Sequence, residues 1–154
     1  MKIAIYRVGK GKVKWADRAS ELWLSRIQHR FSVAEICIKP SPDKGCVSQR
    51  KAEETKRLMG KIQVSDRLIV LDERGETKTT EQLRDWVENA MNTGVKRLVF
   101  AIGGPFGHDE EIYSRAWKTL RLSSMVLNHE LARVVLSEQL YRVHTLIWGG
   151  AYHH

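Results

Sequence analysis

Residues Arg97 to Gly107, RLVFAIGGPFG, constrain this chain more than any other stretch. Leu98 to Ile102 is apolar at every position, which suits a strand buried on both faces of a sheet. The run breaks at Gly103-Gly104-Pro105 and reaches Gly107, and His108-Asp109-Glu110-Glu111 then supplies an acidic helix start. A buried strand that ends in a glycine loop and enters a helix is the repeating piece of an open α/β sheet. In such sheets ligands sit beyond the carboxyl ends of the strands. Glycines there let a ligand approach bare backbone N–H and C=O groups. The loop is therefore a candidate cofactor site, although a Gly-Gly-Pro sequence also serves as a plain turn.

The rest of the chain supplies matching pieces. Residues 2–8 read as a first strand with partial alternation, ended by Gly9 and Gly11. Lys10, Lys12 and Lys14 place three amines within five residues at that strand end, either a phosphate contact or a solvated loop. Asp17 to Phe31 has helical spacing in Ala19, Leu22, Trp23 and Ile27, and Trp15 and Trp23 read as core rather than as nucleobase platforms. Val33 to Ile38 reads as a second strand and residues 40–45 as a turn-rich loop. Ser48 can cap a charged, exposed and mobile helix, Gln49 to Met59, that carries Arg50, Lys51, Lys56 and Arg57. Arg67 to Leu71 reads as a buried strand followed by a second glycine loop, Asp72-Glu73-Arg74-Gly75. Thr79 and Gln82 form a capping box for a helix that stops at Gly94. The unit strand, loop, helix, strand is a βαβ crossover, so the strands at residues 67–71 and 98–102 should be parallel neighbours. Beyond the GGPFG loop the pattern predicts a helix over about 109–118 and a short extended piece over 120–125.

Asn128 can cap a long final helix, about His129 to Ile147. Leu131, Ala132, Val134, Val135, Leu136, Leu140, Tyr141, Val143, Leu146 and Ile147 cover too much of its circumference for packing on one side. One face can meet its own sheet and the other needs a second surface. In a chain of 154 residues the natural candidate is another copy, so a homodimer is expected. Glu138 and Arg142 stand at i,i+4 in the favourable order, and Arg133 and Gln139 interrupt the apolar surface. The chain closes on Trp148-Gly149-Gly150-Ala151-Tyr152-His153-His154.

The net charge is +8 and unevenly placed. Residues 1–61 hold 15 Lys/Arg against 6 Asp/Glu, whereas residues 62–100 hold 6 against 7 and residues 101–154 hold 5 against 5. A basic first part beside a neutral remainder suggests a polyanion on the N-terminal part and chemistry on the C-terminal part; a merely soluble basic surface is the plainer reading. The length fits one domain, residues 1–154. No apolar run approaches the roughly 20 residues of a membrane span, and no signal peptide is evident, so a cytoplasmic location without membrane contact is expected. Cys37 and Cys46 lack metal or redox spacing. There is no GxxxxGK[ST], no GxGxxG, no nucleophile elbow and no HExxH, and no metal is expected.

Backbone polarity and apolar walls without a strong nucleophile suit a cofactor that carries the chemistry. A sulfonium methyl donor fits, because the protein need only align donor and acceptor and help remove one proton. Tyr152 and His153 are candidates for orienting the acceptor or assisting that proton, histidine being the side chain that titrates near neutrality; a disordered tail is the alternative.

MKIAIYRVGKGK, LDERG, FAIGGPFGH, LRLSSMVLNHELARVVLSEQLYR and the terminal AYHH, in this order and spacing, resemble the RlmH family over essentially the whole chain. These are large-subunit ribosomal RNA pseudouridine N3-methyltransferases of the SPOUT superfamily. The resemblance implies a SPOUT-type α/β-knot fold with a parallel sheet and a C-terminal trefoil knot, a homodimer, and S-adenosyl-L-methionine as donor. It also implies a pseudouridine of large-subunit rRNA on the assembled ribosome as acceptor. Carried over by motif, the donor site maps to Leu71, Gly103, Gly104, Leu122, Ser123, Ser124, Met125, Val126 and Leu127. Tyr152 and His153, with Arg142 or Arg133, would serve a site completed by both chains, and Lys10, Lys12 and Lys14 would hold rRNA phosphates. Two positions depart from the family: Asn128 and Ala151 stand where it usually has proline. Asn is as good a helix start as Pro, whereas loss of the tail proline loosens the tail. A tRNA methyltransferase and a non-enzymatic RNA-binding protein are the rival readings.

Overall fold

The computed structural model describes residues 1–9, 13–42, 45–150 and 152. Its elements in chain order are β1 (Lys2–Val8), α1 (Lys14–Ser25), β2 (Ser32–Ile38), α2 (Val47–Met59), β3 (Arg67–Thr77), α3 (Thr80–Asn92), β4 (Arg97–Ile102), α4 (Glu111–Arg115), β5 (Lys118–Arg121) and α5 (His129–Trp148). The five strands form one sheet in the order β2-β1-β4-β3-β5, and every neighbouring pair is parallel. The expected βαβ unit is present: β3 pairs with β4 from Arg67↔Leu98 to Leu71↔Ile102, with α3 between them in the chain. This all-parallel order is consistent with the knotted α/β fold that the resemblance implies.

β4 is apolar throughout because both its faces are covered. Leu98, Phe100 and Ile102 join Ile3, Ile5, Ile69 and Leu71 against Leu24 and Ile27, Leu83 and Val87 of α3, and Leu136, Leu140 and Val143 of α5. Val99 and Ala101 join Ala4, Tyr6, Leu68 and Val70 against Leu58 of α2 and Ile112 of α4. Helices α1, α3 and α5 therefore cover one face and α2 and α4 the other. Thr79 caps α3, accepting from the Gln82 backbone N–H at 3.2 Å, and Gly94 ends the turn beyond it at φ 72°.

Several local expectations are corrected. α1 begins at Lys14 and ends at Ser25, and its buried stripe is Ala16, Ser20 and Leu24. Leu22 and Trp15 are about half exposed, so Trp15 is not a core residue. α2 starts at Val47 with Cys46, not Ser48, at its N-cap. The Asp72-Glu73-Arg74-Gly75 stretch does not end its strand: β3 pairs with β5 at Leu71↔Leu120, bulges outward, and pairs again at Glu76↔Leu120. Gly75 is required at the return, since a Cβ there would lie 2.8 Å from the backbone of Thr119 and Leu120. The helix expected over 109–118 is only the five residues of α4, because the Trp117 N–H bonds to the Leu68 carbonyl at 2.8 Å and turns the chain into β5.

Candidate functional site

The strands are parallel, so the bulge of β3 at residues 72–75 and the loops after β4 and β5 emerge on the same edge of the sheet. They enclose a cavity of about 480 Å³. Its lining includes Leu71, Gly103, Gly104, Leu122, Ser123, Met125, Val126 and Leu127, eight of the nine residues mapped to a donor site. Ser124 does not line it; its carbonyl instead accepts from Arg121 Nη2 at 3.0 Å, while Arg121 Nε donates to the Ser123 carbonyl at 2.9 Å. Arg121 thus folds the 122–127 turn around its own side chain. The Ser123 hydroxyl accepts from the Met125 backbone N–H at 3.0 Å and completes that turn.

The glycines of the second loop have a reason beyond access for a ligand. Gly103 and Gly104 are buried, and a Cβ on Gly103 would sit 2.9 Å from the Gly107 backbone. Gly107 donates its N–H to the Gly104 carbonyl at 3.0 Å and has φ 73°. The loop closes on itself so tightly at Gly103 that a side chain there has no room.

Charged and titratable groups flank the cavity, and few of them stand out in the sequence pattern. Asp72 Oδ2 accepts from the Tyr113 hydroxyl at 2.5 Å, and Oδ1 accepts from the Arg74 backbone and Nε at 2.9 and 3.0 Å. Burial alone would raise the Asp72 carboxyl; the bonds from Arg74 and Tyr113 outweigh it and hold the group below the ordinary carboxylate range. Burial, with the bond to Asp72, pushes the Tyr113 phenol up to about 12. His108 is 2% exposed, and burial lowers its pKa to about 4, so the ring is neutral at pH 7. Its Nε2 lies 3.3 Å from the Ala101 carbonyl, which makes Nε2 the protonated nitrogen. Lys51 of α2 and His129 at the start of α5 complete the rim.

Arg142 and Tyr152 lie elsewhere on the protomer. Neither Arg142 nor Tyr152 lines the cavity. Ala132 does, and ten residues of α5 separate it from Arg142, a rise of about 15 Å. Arg142 is held by Glu138 at 2.6 Å, and its guanidinium lies over the Tyr152 ring, 4.8 Å from the centroid. Tyr152 also meets Tyr141 and Trp23, at centroid distances of 4.8 and 5.5 Å. Arg133, the other arginine considered for this role, is 1% exposed and enclosed by carboxylates: Asp17 at 2.8 Å, Glu130 at 3.2 Å and Glu35 at 3.7 Å. It joins α5 to α1 and β2. Lys14 is the exposed first residue of α1. Lys10, Lys12 and His153 lie outside the described residues.

Among the described residues no group of three or more His, Cys, Asp and Glu side chains could hold a metal ion. Among the described residues no helix is long and apolar enough to cross a membrane.

A family model described as "Predicted SPOUT methyltransferase" matches residues 1–153. The chain is 35% identical to a protein of Christiangramia forsetii named ribosomal RNA large subunit methyltransferase H, covering 100% of this chain and 99% of that one. Proteins of the same name from Geobacter sulfurreducens and Cytophaga hutchinsonii are 36% and 34% identical, with full coverage of both chains in each case.

Proposed function

The chain belongs to the SPOUT methyltransferase family, and on that premise we propose that it methylates N3 of a pseudouridine in large-subunit ribosomal RNA, with S-adenosyl-L-methionine as donor. The observation that carries this reading is the cavity at the bulge of β3 and the carboxyl ends of β4 and β5, with apolar walls, a backbone-rich turn and no activated nucleophile among the described residues that line it. The names of the relatives support ribosomal RNA as the substrate class, and the resemblance of the tail and loop motifs supports the base and atom.

The residues fit such a donor. A volume of about 480 Å³ lies within the ordinary range of small-molecule sites. Leu71, Ile102, Leu122 and Leu127 offer apolar walls for a nucleoside, and the 122–127 turn offers backbone donors and acceptors. Leu71, Gly103, Gly104 and residues 122–127 would hold the group. When bound it supplies a methyl carried on a cationic sulfur, so no side chain need attack. The chain then has to place the base in line, keep water out and receive the N3 proton.

Tyr152, His153 and Arg142 serve that last task from a second copy of the chain, since in one protomer Arg142 lies far along α5 from the cavity and Tyr152, beyond the end of α5, does not line it. The homodimer is supported by α5 itself: Leu131 is 42% exposed, and Val134, Val135, Leu146 and Ile147 are only half-buried. Each protomer is one domain spanning 1–154, acting in the cytoplasm on the assembled ribosome, with Lys10, Lys12 and Lys14 toward the RNA phosphates.

The test is transfer of labelled methyl from S-adenosyl-L-methionine to purified ribosomes lacking the modification, beside free rRNA and bulk tRNA. Label at a large-subunit pseudouridine is the expected result. Label on tRNA alone would overturn the acceptor, and no label from a folded, dimeric protein would overturn the enzymatic reading.

A further inference from the structure

An acceptor base must leave its stack before its ring nitrogen can meet a methyl donor inside a cavity, and a flipped base needs a surface to lie on. The rim of this cavity carries one. Phe106 is the only large side chain of the otherwise small-residue loop 103–107; it lines the cavity and is 42% exposed. Gly103 and Gly104 before it are packed against protein. Phe106 has no comparable enclosure, so the loop is built tightly around a benzyl group that is left in the open.

The surroundings of the ring match what a base in a polynucleotide requires. The Arg50 guanidinium of α2 lies 4.9 Å from its centroid, which fixes the ring's position from one side. Lys51, the next residue, lines the same cavity. Met125 and Val126, 75% and 80% exposed, present apolar side chains from the third loop to the same space. Exposed ring, apolar facing segment and adjacent cations are the components by which proteins hold an unstacked nucleotide.

We propose that Phe106 is the stacking platform for the flipped acceptor base, with Arg50 bracing the ring and Lys51 meeting the adjoining phosphate. The inference rests on the reading of RNA as the acceptor. It gives α2, the most basic helix of the chain, a direct part in the reaction.

Phe106→Ala, Phe106→Trp and the wild type would be compared in steady-state methyl transfer to ribosomes lacking the modification. The affinity of each for S-adenosyl-L-methionine would be measured separately by calorimetry. Base–aromatic stacking predicts that kcat/KM for ribosomes falls by about 5- to 150-fold in Phe106→Ala. Phe106→Trp should restore most of that loss, and donor affinity should stay within a factor of about two in both variants. An unchanged kcat/KM in Phe106→Ala would overturn the platform while leaving the methyltransferase reading intact. A parallel loss of donor affinity would also overturn it, because the ring would then serve the donor. Failure of the wild type itself to label ribosomes would overturn the underlying acceptor, and the platform with it.

Discussion

Mild acid should destabilise this protein through His108, and the size of the effect follows from its burial. The ring is 2% exposed, its Nε2 faces the Ala101 carbonyl, and burial brings its pKa to about 4. In the unfolded chain the same group titrates near 6.5. Between these values the unfolded state binds a proton that the folded state does not, so stability rises with pH through this window and falls as the solution is acidified. Below about 4 both states are protonated and the dependence ends. Going from pH 7 to pH 5, linkage gives a loss of about 2 kcal/mol from this one group. The assay is denaturant unfolding of the wild type and His108→Gln at both pH values and one protein concentration. Glutamine can donate an amide N–H toward Ala101 but does not titrate. The wild type should lose about 2 kcal/mol more than the variant. His144, also lowered by burial, contributes in the same direction to both proteins and cancels in the difference. Equal losses would show that His108 is not held neutral by burial, and would refute the reasoning.

Three further outcomes are expected. Arg133→Met should cost about 1–3 kcal/mol in unfolding free energy, because it removes the buried guanidinium that Asp17, Glu130 and Glu35 share and leaves Arg7, 3.6 Å from Glu130 and 3.9 Å from Asp17, as the remaining cation. Gly103→Ala drives a Cβ to within 2.9 Å of the Gly107 backbone and must shift the loop. Its kcat/KM should fall by about 100-fold, the usual result of ångström-scale misplacement, while thermal unfolding shows that the chain remains folded. Replacing Lys10, Lys12 and Lys14 by glutamine should weaken ribosome binding. It should also flatten the plot of log affinity against log salt by about 0.7–0.9 for each phosphate no longer neutralised; an unchanged slope would place those amines away from RNA.

The framework is legible where the signal is local. β1, β3 and β4 announce themselves as short apolar runs, and the Thr79 and Asn128 caps form bonds within three residues. What a linear reading places inexactly is decided by distant partners: the extended piece expected over 120–125 is β5 at 118–121, followed by a turn. β5 is a four-residue strand, Lys118–Arg121, with one well-buried side chain, Leu120. It exists because Trp117 and the residues after it can complete the edge of β3, a partner about 50 residues earlier in the chain. The stripe of α1 is obscured for a related reason. Its helical spacing points to large side chains inside, yet α1 packs on α5, and the small Ala16 and Ser20 allow that close approach while Trp15 and Leu22 turn outward.

The site divides in the same way. The loop glycines and the leucines of the 122–127 turn are contiguous in sequence and gather at one sheet edge because parallel strands end together. The polar constellation is not contiguous: Tyr113 reaches Asp72 across 41 residues, and Arg133 reaches Asp17 across 116. In the linear sequence each of those side chains resembles an ordinary surface group, and only the fold pairs it and, for Arg133, buries it. The tail presents the converse case, since Tyr152 stands out in the sequence yet does not line the cavity in one protomer. α5 carries more apolar surface than a single chain covers, and no described tail residue lines the cavity. One added copy of the chain, packed along α5, would answer both. The prediction is that a Tyr152→Ala chain and a Gly103→Ala chain, each nearly inactive alone, regain activity when mixed. Mixed dimers would pair one intact cavity with one intact tail, and failure of exchanged subunits to complement would place both functions in the same protomer.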